Sequence, residues 1–301
     1  MTQSSTKLPN FLIVGFQKCG TTSVYNYLNQ HPQVYMSAVK ETNFLEQDWE
    51  KLAATGHQFK PKQIRTFEQY SQLFEGVTNE IAIGEASPNY LFKYQSSAEQ
   101  IKRYVPNAKL IAILRNPVDR AISDYLMHVR EAQSSTSLKE QIQHKAHKSF
   151  IILKGYYYQP IKYYFEQFSL EQLSILLYDD LCKDAEKFVQ EIYKIIGVDS
   201  NFQPNTSRKA QVAELPKNQA VNNLLRRKNP IRSLTATLLK PLLSEKNRQA
   251  IRSRLIAMNS KSKAEIESFD EEKELLLKLY RDDILQLQDL IDQDLSSWLT
   301  L

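Results

Sequence analysis

Asn10-Phe11-Leu12-Ile13-Val14-Gly15-Phe16-Gln17-Lys18-Cys19-Gly20-Thr21-Thr22-Ser23-Val24-Tyr25 is the stretch from which the fold can be read. Phe11 to Val14 form an apolar run without alternation, as a strand covered on both faces does. Past Gly20 come three hydroxyl residues, Thr21, Thr22 and Ser23, where a helix would begin. A strand, a glycine turn and a helix N-terminus present free backbone N–H groups and a positive dipole end to an anion. The glycines have the spacing of the nucleoside-triphosphate loop G-x-x-x-x-G-K-[ST], with Gly15 and Gly20 at its two glycines. Thr21 stands where that loop has its lysine, and the lysine of this chain lies inside the loop, at Lys18. In ATP and GTP hydrolases the lysine reaches the β and γ phosphates while the hydroxyl holds Mg²⁺. A lysine within the loop instead suits a shorter 5′ group, neutralised without metal. The alternative is an accidental Gly/Thr-rich turn, and the strand–turn–helix context argues against it.

Residues 109–125 repeat the design. An apolar strand ends in Arg115, and Pro117 opens a helix at the position where proline is favoured. Arg115 leaves a strand C-terminus, where ligands of open α/β sheets bind. Ser123 follows Asp119 by four residues and shares its side of the helix. A guanidinium fork with a hydroxyl suits a further phosphate; an ion pair of Arg115 with Asp119 or Asp124 is the alternative. Buried strands are expected at 11–15, 81–84, 110–114 and 174–178. Helices are expected at 22–30, 70–74, 118–130 and 185–196, the last with Phe188, Ile192 and Ile195 on one stripe. This alternation predicts an α/β fold: P-loop-like, three-layered, with a central, mostly parallel sheet flanked by helices. Further helices at 214–228, 233–243, 245–258 and 271–291 make the C-terminal third helical.

Composition sets outer limits. The chain has 301 residues, 42% of them hydrophobic, which is enough for a core and excludes global disorder. One domain over 1–301 is expected. Two cysteines, Cys19 and Cys182, exclude a disulfide framework and a zinc site built mainly from thiolates. The apolar run 11–16 is too short to span a membrane and lacks a signal-peptide pattern, so a soluble, cytoplasmic protein is expected. The net charge of +5 conceals an uneven distribution, because residues 205–263 hold 14 Lys and Arg against 2 acidic residues. That segment reads as a lid or rim over a polyanionic ligand, or as a solvated surface. Binding of nucleic acid or of an anionic membrane surface through it is a competing class, although no recognised nucleic-acid module is present. A P-loop nucleotide kinase or NTPase is another, and Thr21 counts against it.

Together the two phosphate motifs resemble the cofactor signatures of sulfotransferases that use 3′-phosphoadenosine 5′-phosphosulfate (PAPS). The type resembled is that of the heparan-sulfate glycan sulfotransferases and their bacterial relatives. Lys40-Glu41-Thr42-Asn43-Phe44 is similar to the family's Lys-Glu-x-His-Phe segment. Gly84-Glu85-Ala86-Ser87-Pro88-Asn89-Tyr90 is similar to its Gly-Glu-x-[Ser/Thr]-Pro-x-Tyr segment. Gly155-Tyr156, Tyr178-Asp179-Asp180-Leu181 and residues 276–298 also resemble family positions, so the likeness runs from about residue 10 to residue 298.

The resemblance implies that Lys18, Cys19, Gly20, Thr21, Thr22 and Ser23 hold the 5′-phosphosulfate, and that Arg115 and Ser123 hold the 3′-phosphate. A late basic loop, with Arg208 and Lys209 as its candidates, would close over the nucleotide. Lys18 would stabilise charge on the leaving phosphate during in-line transfer, with no metal required. Glu41 would act as the base toward the acceptor hydroxyl or amine of a carbohydrate or related metabolite; a surface carboxylate or helix cap is its alternative. Adenosine 3′,5′-bisphosphate would be the product. Asn43 stands where the family often has histidine, and Ala86 where some relatives have lysine, so the acceptor stays open. Cys19 as a thiolate, with His31 as the nearest base in sequence, is a weaker alternative, and His144 and His147 read as a solvated face. In the run Tyr156–Tyr158 with Tyr163, Tyr164 and Phe165, core packing is the larger expectation and Tyr156 the best binding candidate.

Overall fold

The computed structural model describes residues 7–59, 63–134, 136–207 and 268–301, with residues 217–218, 221–222, 254–255 and 258–259. Among these residues the strands are β1 (Phe11–Ile13), β2 (Val34–Met36), β3 (Ala82–Ala86), β4 (Lys109–Leu114) and β5 (Leu173–Leu177). All pair in parallel, in the order β2-β3-β1-β4-β5. In β3, β1 and β4 every residue but Lys109 is buried, so the continuous apolar runs mark the middle of the sheet. β5 lies at an edge and is buried only at Leu173.

The helices before β4 are α1 (Thr21–Leu28), α2 (Trp49–Ala54), α3 (Phe67–Ser71) and α4 (Tyr94–Tyr104). Between β4 and β5 come α5 (Pro117–Arg130), α6 (Leu138–Lys145), α7 (Phe150–Leu153) and α8 (Tyr158–Gln167). After β5 the described residues hold α9 (Tyr178–Lys183), α10 (Ala185–Ile196) and α11 (Asp270–Ile291). The α/β class and the parallel sheet agree with the expectation.

Several boundaries move, each for a local reason. β2 is unannounced by the sequence, because three residues with Tyr35 half-exposed between two buried ones are too short for periodicity to register. Ile81 is exposed and stands before β3 rather than in it. Tyr178 opens α9, whose first turn gains Asp179 and Asp180 at its positive end, instead of closing β5. The helix expected at 70–74 starts earlier, where a Thr66/Gln69 capping box begins α3, and finishes as a 3₁₀ turn. On α10 the buried stripe is Phe188, Val189, Ile192 and Tyr193, with Ile195 half-exposed. The helices expected at 214–228, 233–243 and 245–258 lie outside the described residues.

By contact the chain divides into two compact units. The first comprises Met1–Arg120, Tyr156–Ala210 and Tyr280–Thr300 and holds the whole sheet. In it β1 connects through α1 toward one sheet edge and β4 leads to β5 at the other, so the order reverses between β1 and β4. Crevices at such a reversal, at the strand C-termini, are where open α/β sheets bind ligands. The second unit comprises Ala121–Gly155, Gln211–Leu279 and Leu301. Among its described residues, Ser137 caps α6 and Lys139 pairs with Glu271 at 2.6 Å.

Residues 280–298 close the first unit. Tyr280, Ile284 and Leu287 are buried one turn apart, and the Trp298 indole donates to Asp179 Oδ2 at 2.9 Å. Asp283 accepts from the Tyr157 and Tyr158 amides at 2.7 and 3.2 Å, satisfying donors at the start of α8. Burial raises the Asp283 carboxyl to about 6. A folded value above the ordinary one means that its contribution is full below about pH 4 and lost as pH rises through about 6. Between those limits the wild type should lose on the order of 1–3 kcal/mol relative to Asp283→Asn. Urea unfolding at both pH values checks this, and a stability difference that does not change with pH would contradict it.

Candidate active site

Two backbone reversals build the loop between β1 and α1. Lys18 (φ 72°) and Gly20 (φ 80°) both occupy the left-handed region. At Gly20 there is also no room for a side chain, because a Cβ would lie 2.6 Å from Leu181 Cδ2 and 2.9 Å from the Tyr178 ring. Gly20 is therefore fixed twice, by dihedral and by packing. No side chain caps α1, so its first amides remain available to an anion. Thr21 and Ser23 are buried and Thr22 is exposed in that first turn. The Cys19 side chain is buried, its thiol 3.8 Å from the Gln17 carbonyl.

Arg115, at the end of β4, reaches this loop. Its guanidinium donates to the Lys18 carbonyl at 3.2 Å and lies 4.7 Å over the Tyr178 ring. No carboxylate among the described residues pairs with it, so the alternative of a local ion pair with Asp119 or Asp124 is not what the structure shows. The five-donor fork keeps further N–H groups for a ligand. Tyr157 supports both loops, its hydroxyl donating to the Arg115 carbonyl at 2.9 Å and its ring centred 4.8 Å from Phe16. Ser123 is half-buried on α5, in the second unit. Arg208 and Lys209, with most of the basic segment 205–263, lie outside the described residues.

Glu41 sits on a strained turn after β2. Glu41 (φ 63°) and Asn43 (φ 51°) are both left-handed. The Glu41 amide donates to the Ala86 carbonyl at 2.9 Å, tying it to the end of β3. The Asn43 carboxamide donates to the Glu41 carbonyl at 3.1 Å. Lys40 Nζ lies 2.7 Å from Glu41 Oε1. Thr42, between Glu41 and Asn43, donates to the wholly buried Glu85. Burial raises the Glu85 carboxyl above its ordinary value, and bonds from Thr42, Tyr90, Tyr70 and Ser87 oppose that shift.

The remaining candidates separate clearly. His31 is buried between Tyr193 and Phe202. It accepts from the Gln33 amide on Nδ1, so Nε2 carries the proton toward the Asp199 carbonyl at 2.9 Å. That is a core histidine rather than a base. His144 and His147 are exposed, one on α6 and the other in the 3₁₀ turn beyond it. Tyr157 and Tyr164 are core residues, and Tyr156 is half-buried against Tyr280. Tyr157 acquires a site role that no motif declares, and Tyr178 and Glu85, which lie in the family-like segments 178–181 and 84–90, acquire contacts to which those segments assign no role. The strand expected at 81–84 extends to Ala86 as β3 and takes Glu85 into the sheet, wholly buried.

Lys18, three first-turn hydroxyl residues and an uncapped helix N-terminus lie in one loop, with the Arg115 guanidinium bonded to it, a cationic and donor-rich set of the kind that suits an anion. Comparison with known proteins follows the same line. The model of the sulfotransferase family matches residues 9–204. Membrane-associated sulfotransferase kil1 of Dictyostelium discoideum is 32% identical over 149 residues, 49% of this chain and 29% of that protein. Bifunctional heparan sulfate N-deacetylase/N-sulfotransferase 4 of Mus musculus is 27% identical over 207 residues, 65% of this chain and 23% of that protein. This chain thus spans less than a third of either relative's length. A crystal structure of a sulfotransferase from Alicyclobacillus acidocaldarius superimposes with a TM-score of 0.68 at 26% identity, covering 97% of this chain and 99% of that one.

The double constraint on Gly20 is open to test. Gly20→Ala should cost about 1–2 kcal/mol from the left-handed dihedral, and more from the Tyr178 and Leu181 contacts. Chemical denaturation measures it, and a variant as stable as wild type would show that the loop is not so held.

Proposed function

We propose that this chain, which belongs to the sulfotransferase family, transfers a sulfuryl group from PAPS to a hydroxyl or amine of a carbohydrate or related metabolite. The observation that carries the reading is the uncapped N-terminus of α1 beside Lys18, with Arg115 bonded to the same loop. PAPS, when bound, supplies the sulfuryl group and a phosphate leaving group. Lys18 and the first amides of α1 then hold the 5′ side and stabilise the negative charge that grows there, a role for fixed donors in place from the start. Arg115 has its backbone anchored by Tyr157 and one N–H on the Lys18 carbonyl, so its fork is pre-oriented for a second phosphate. Ser123 is the hydroxyl paired with it in this reading.

Glu41 takes the acceptor proton. Lys40 pairs with Oε1, and among the described residues no donor bonds Oε2, which keeps a lone pair for that proton. The carbohydrate class is supported by the relative whose name includes heparan sulfate.

Adenosine 3′,5′-bisphosphate should bind with EDTA present, because Lys18, Arg115 and the helix end supply the positive charge. Lys18→Ala should weaken that binding about 10–100-fold, the scale of one charge-assisted bond. Calorimetry decides it, and a wild type that does not bind this nucleotide would sink the proposal. With labelled PAPS and desulfated heparan oligosaccharides, Glu41→Gln should lower kcat by about 10²–10⁴-fold and leave nucleotide affinity unchanged. Full activity in that variant would remove Glu41 as base.

A further inference from the structure

Glu85, near the C-terminal end of the inner strand β3, is wholly buried, and among the described residues no Lys, Arg or His pairs with it. Its four partners are all hydroxyls. Tyr90 and Tyr70 donate to Oε1 at 2.5 and 3.2 Å, and Thr42 and Ser87 donate to Oε2, the latter at 3.5 Å. Three of these hydroxyls accept a backbone N–H on their other side. Asn43 N donates to Ser87 Oγ at 3.2 Å, Phe44 N to Thr42 Oγ1 at 3.3 Å, and Leu45 N to the Tyr90 hydroxyl at 3.1 Å. Three consecutive amides, the ones that open the 3₁₀ turn Phe44–Glu46, are thus capped by one carboxylate at one remove.

We infer that Glu85 is a positioning residue for Glu41, acting through a hydroxyl relay that holds the left-handed turn 41–43. An ionised carboxylate only accepts, so it turns every neighbouring O–H toward itself and leaves each hydroxyl's lone pairs to the amides. A carboxamide brings its own N–H donors, so at least one hydroxyl must turn its O–H away and offer it a lone pair, at the expense of the bond that this hydroxyl accepts from an amide among buried side chains. That loss falls next to two residues already in a costly backbone region, Glu41 and Asn43. The Asn43 carboxamide passes the restraint to Glu41 by bonding its carbonyl, while Ala86, the neighbour of Glu85, holds the Glu41 amide. The carboxyl of Glu41 is therefore aimed by its backbone and not by its own contacts alone. The inference rests on the reading of Glu41 as base.

Amide hydrogen exchange of segment 40–47 tests the relay without donor or acceptor. In Glu85→Gln and in Thr42→Val, exchange at Phe44 and Leu45 should speed up about tenfold or more, with β1 and β4 unchanged. Thr42→Ser, which keeps the hydroxyl, should restore wild-type protection and wild-type kcat. With labelled PAPS and desulfated heparan oligosaccharides, Glu85→Gln should lower kcat about tenfold or more and leave nucleotide affinity in place. In a Glu41→Gln background that further loss should vanish, because nothing remains to position. Unchanged protection, protection lost with turnover intact, or the same fractional loss in both backgrounds would each overturn the inference. Should Glu85→Gln not fold, the Thr42→Val and Thr42→Ser pair carries the same comparison. A wild type inert toward these oligosaccharides would overturn the acceptor class alone, since the exchange arm still decides the relay.

Discussion

The amides at the start of α1 have no intrahelical acceptors, and this protein gives them no capping side chain. In most helices a Ser, Thr, Asp or Asn would satisfy them. Here Gly20 occupies that position at φ 80°, and the hydroxyl residues follow it inside the first turn. An uncapped end leaves its donors to water or to a ligand, which is why it suits the anion site proposed above. The surrounding contacts keep that end open. Arg115 bonds the Lys18 carbonyl from β4, Tyr178 and Leu181 fill the space beside Gly20, and Tyr157 braces Phe16 and Arg115 together.

The other half of the site uses a different device. Positive charge gathers at the phosphate loop, whereas Glu41 is held by a neutral scaffold of hydroxyls organised by one buried carboxylate. Glu85 costs desolvation, and four O–H donors offset that cost without a cation. Three of those hydroxyls also accept from the backbone amides of Asn43, Phe44 and Leu45.

Much of this was legible in the chain alone. The apolar runs of β1, β3 and β4 announced a parallel sheet because burial on both faces erases alternation. The loop 15–20 was legible because its chemistry is largely backbone chemistry, which depends on local sequence. β2 was not, since three residues carry too little pattern. The end of β5 was placed one residue late because Tyr178 continues the apolar run, and α9, which Tyr178 opens, was not expected at all. His31 illustrates the opposite difficulty. Its position just before Pro32 leaves a catalytic reading open, and only the rings of Tyr193 and Phe202 with the Asp199 carbonyl make it a core residue.

By itself the sequence determined the α/β class, the phosphate loop with its relocated lysine, and the segments that carry Glu41, Glu85 and Arg115. Those features follow from residues a few positions apart, within reach of one turn or one strand. Tertiary structure alone decided that Arg115 bonds Lys18 across 97 positions and that Glu85 caps amides some 40 residues before it. It also decided that Tyr157 and not Tyr156 braces the loops. Such pairings depend on strand order in the sheet, and β1 has β3 and β4 as neighbours, neither of which is next to it in sequence.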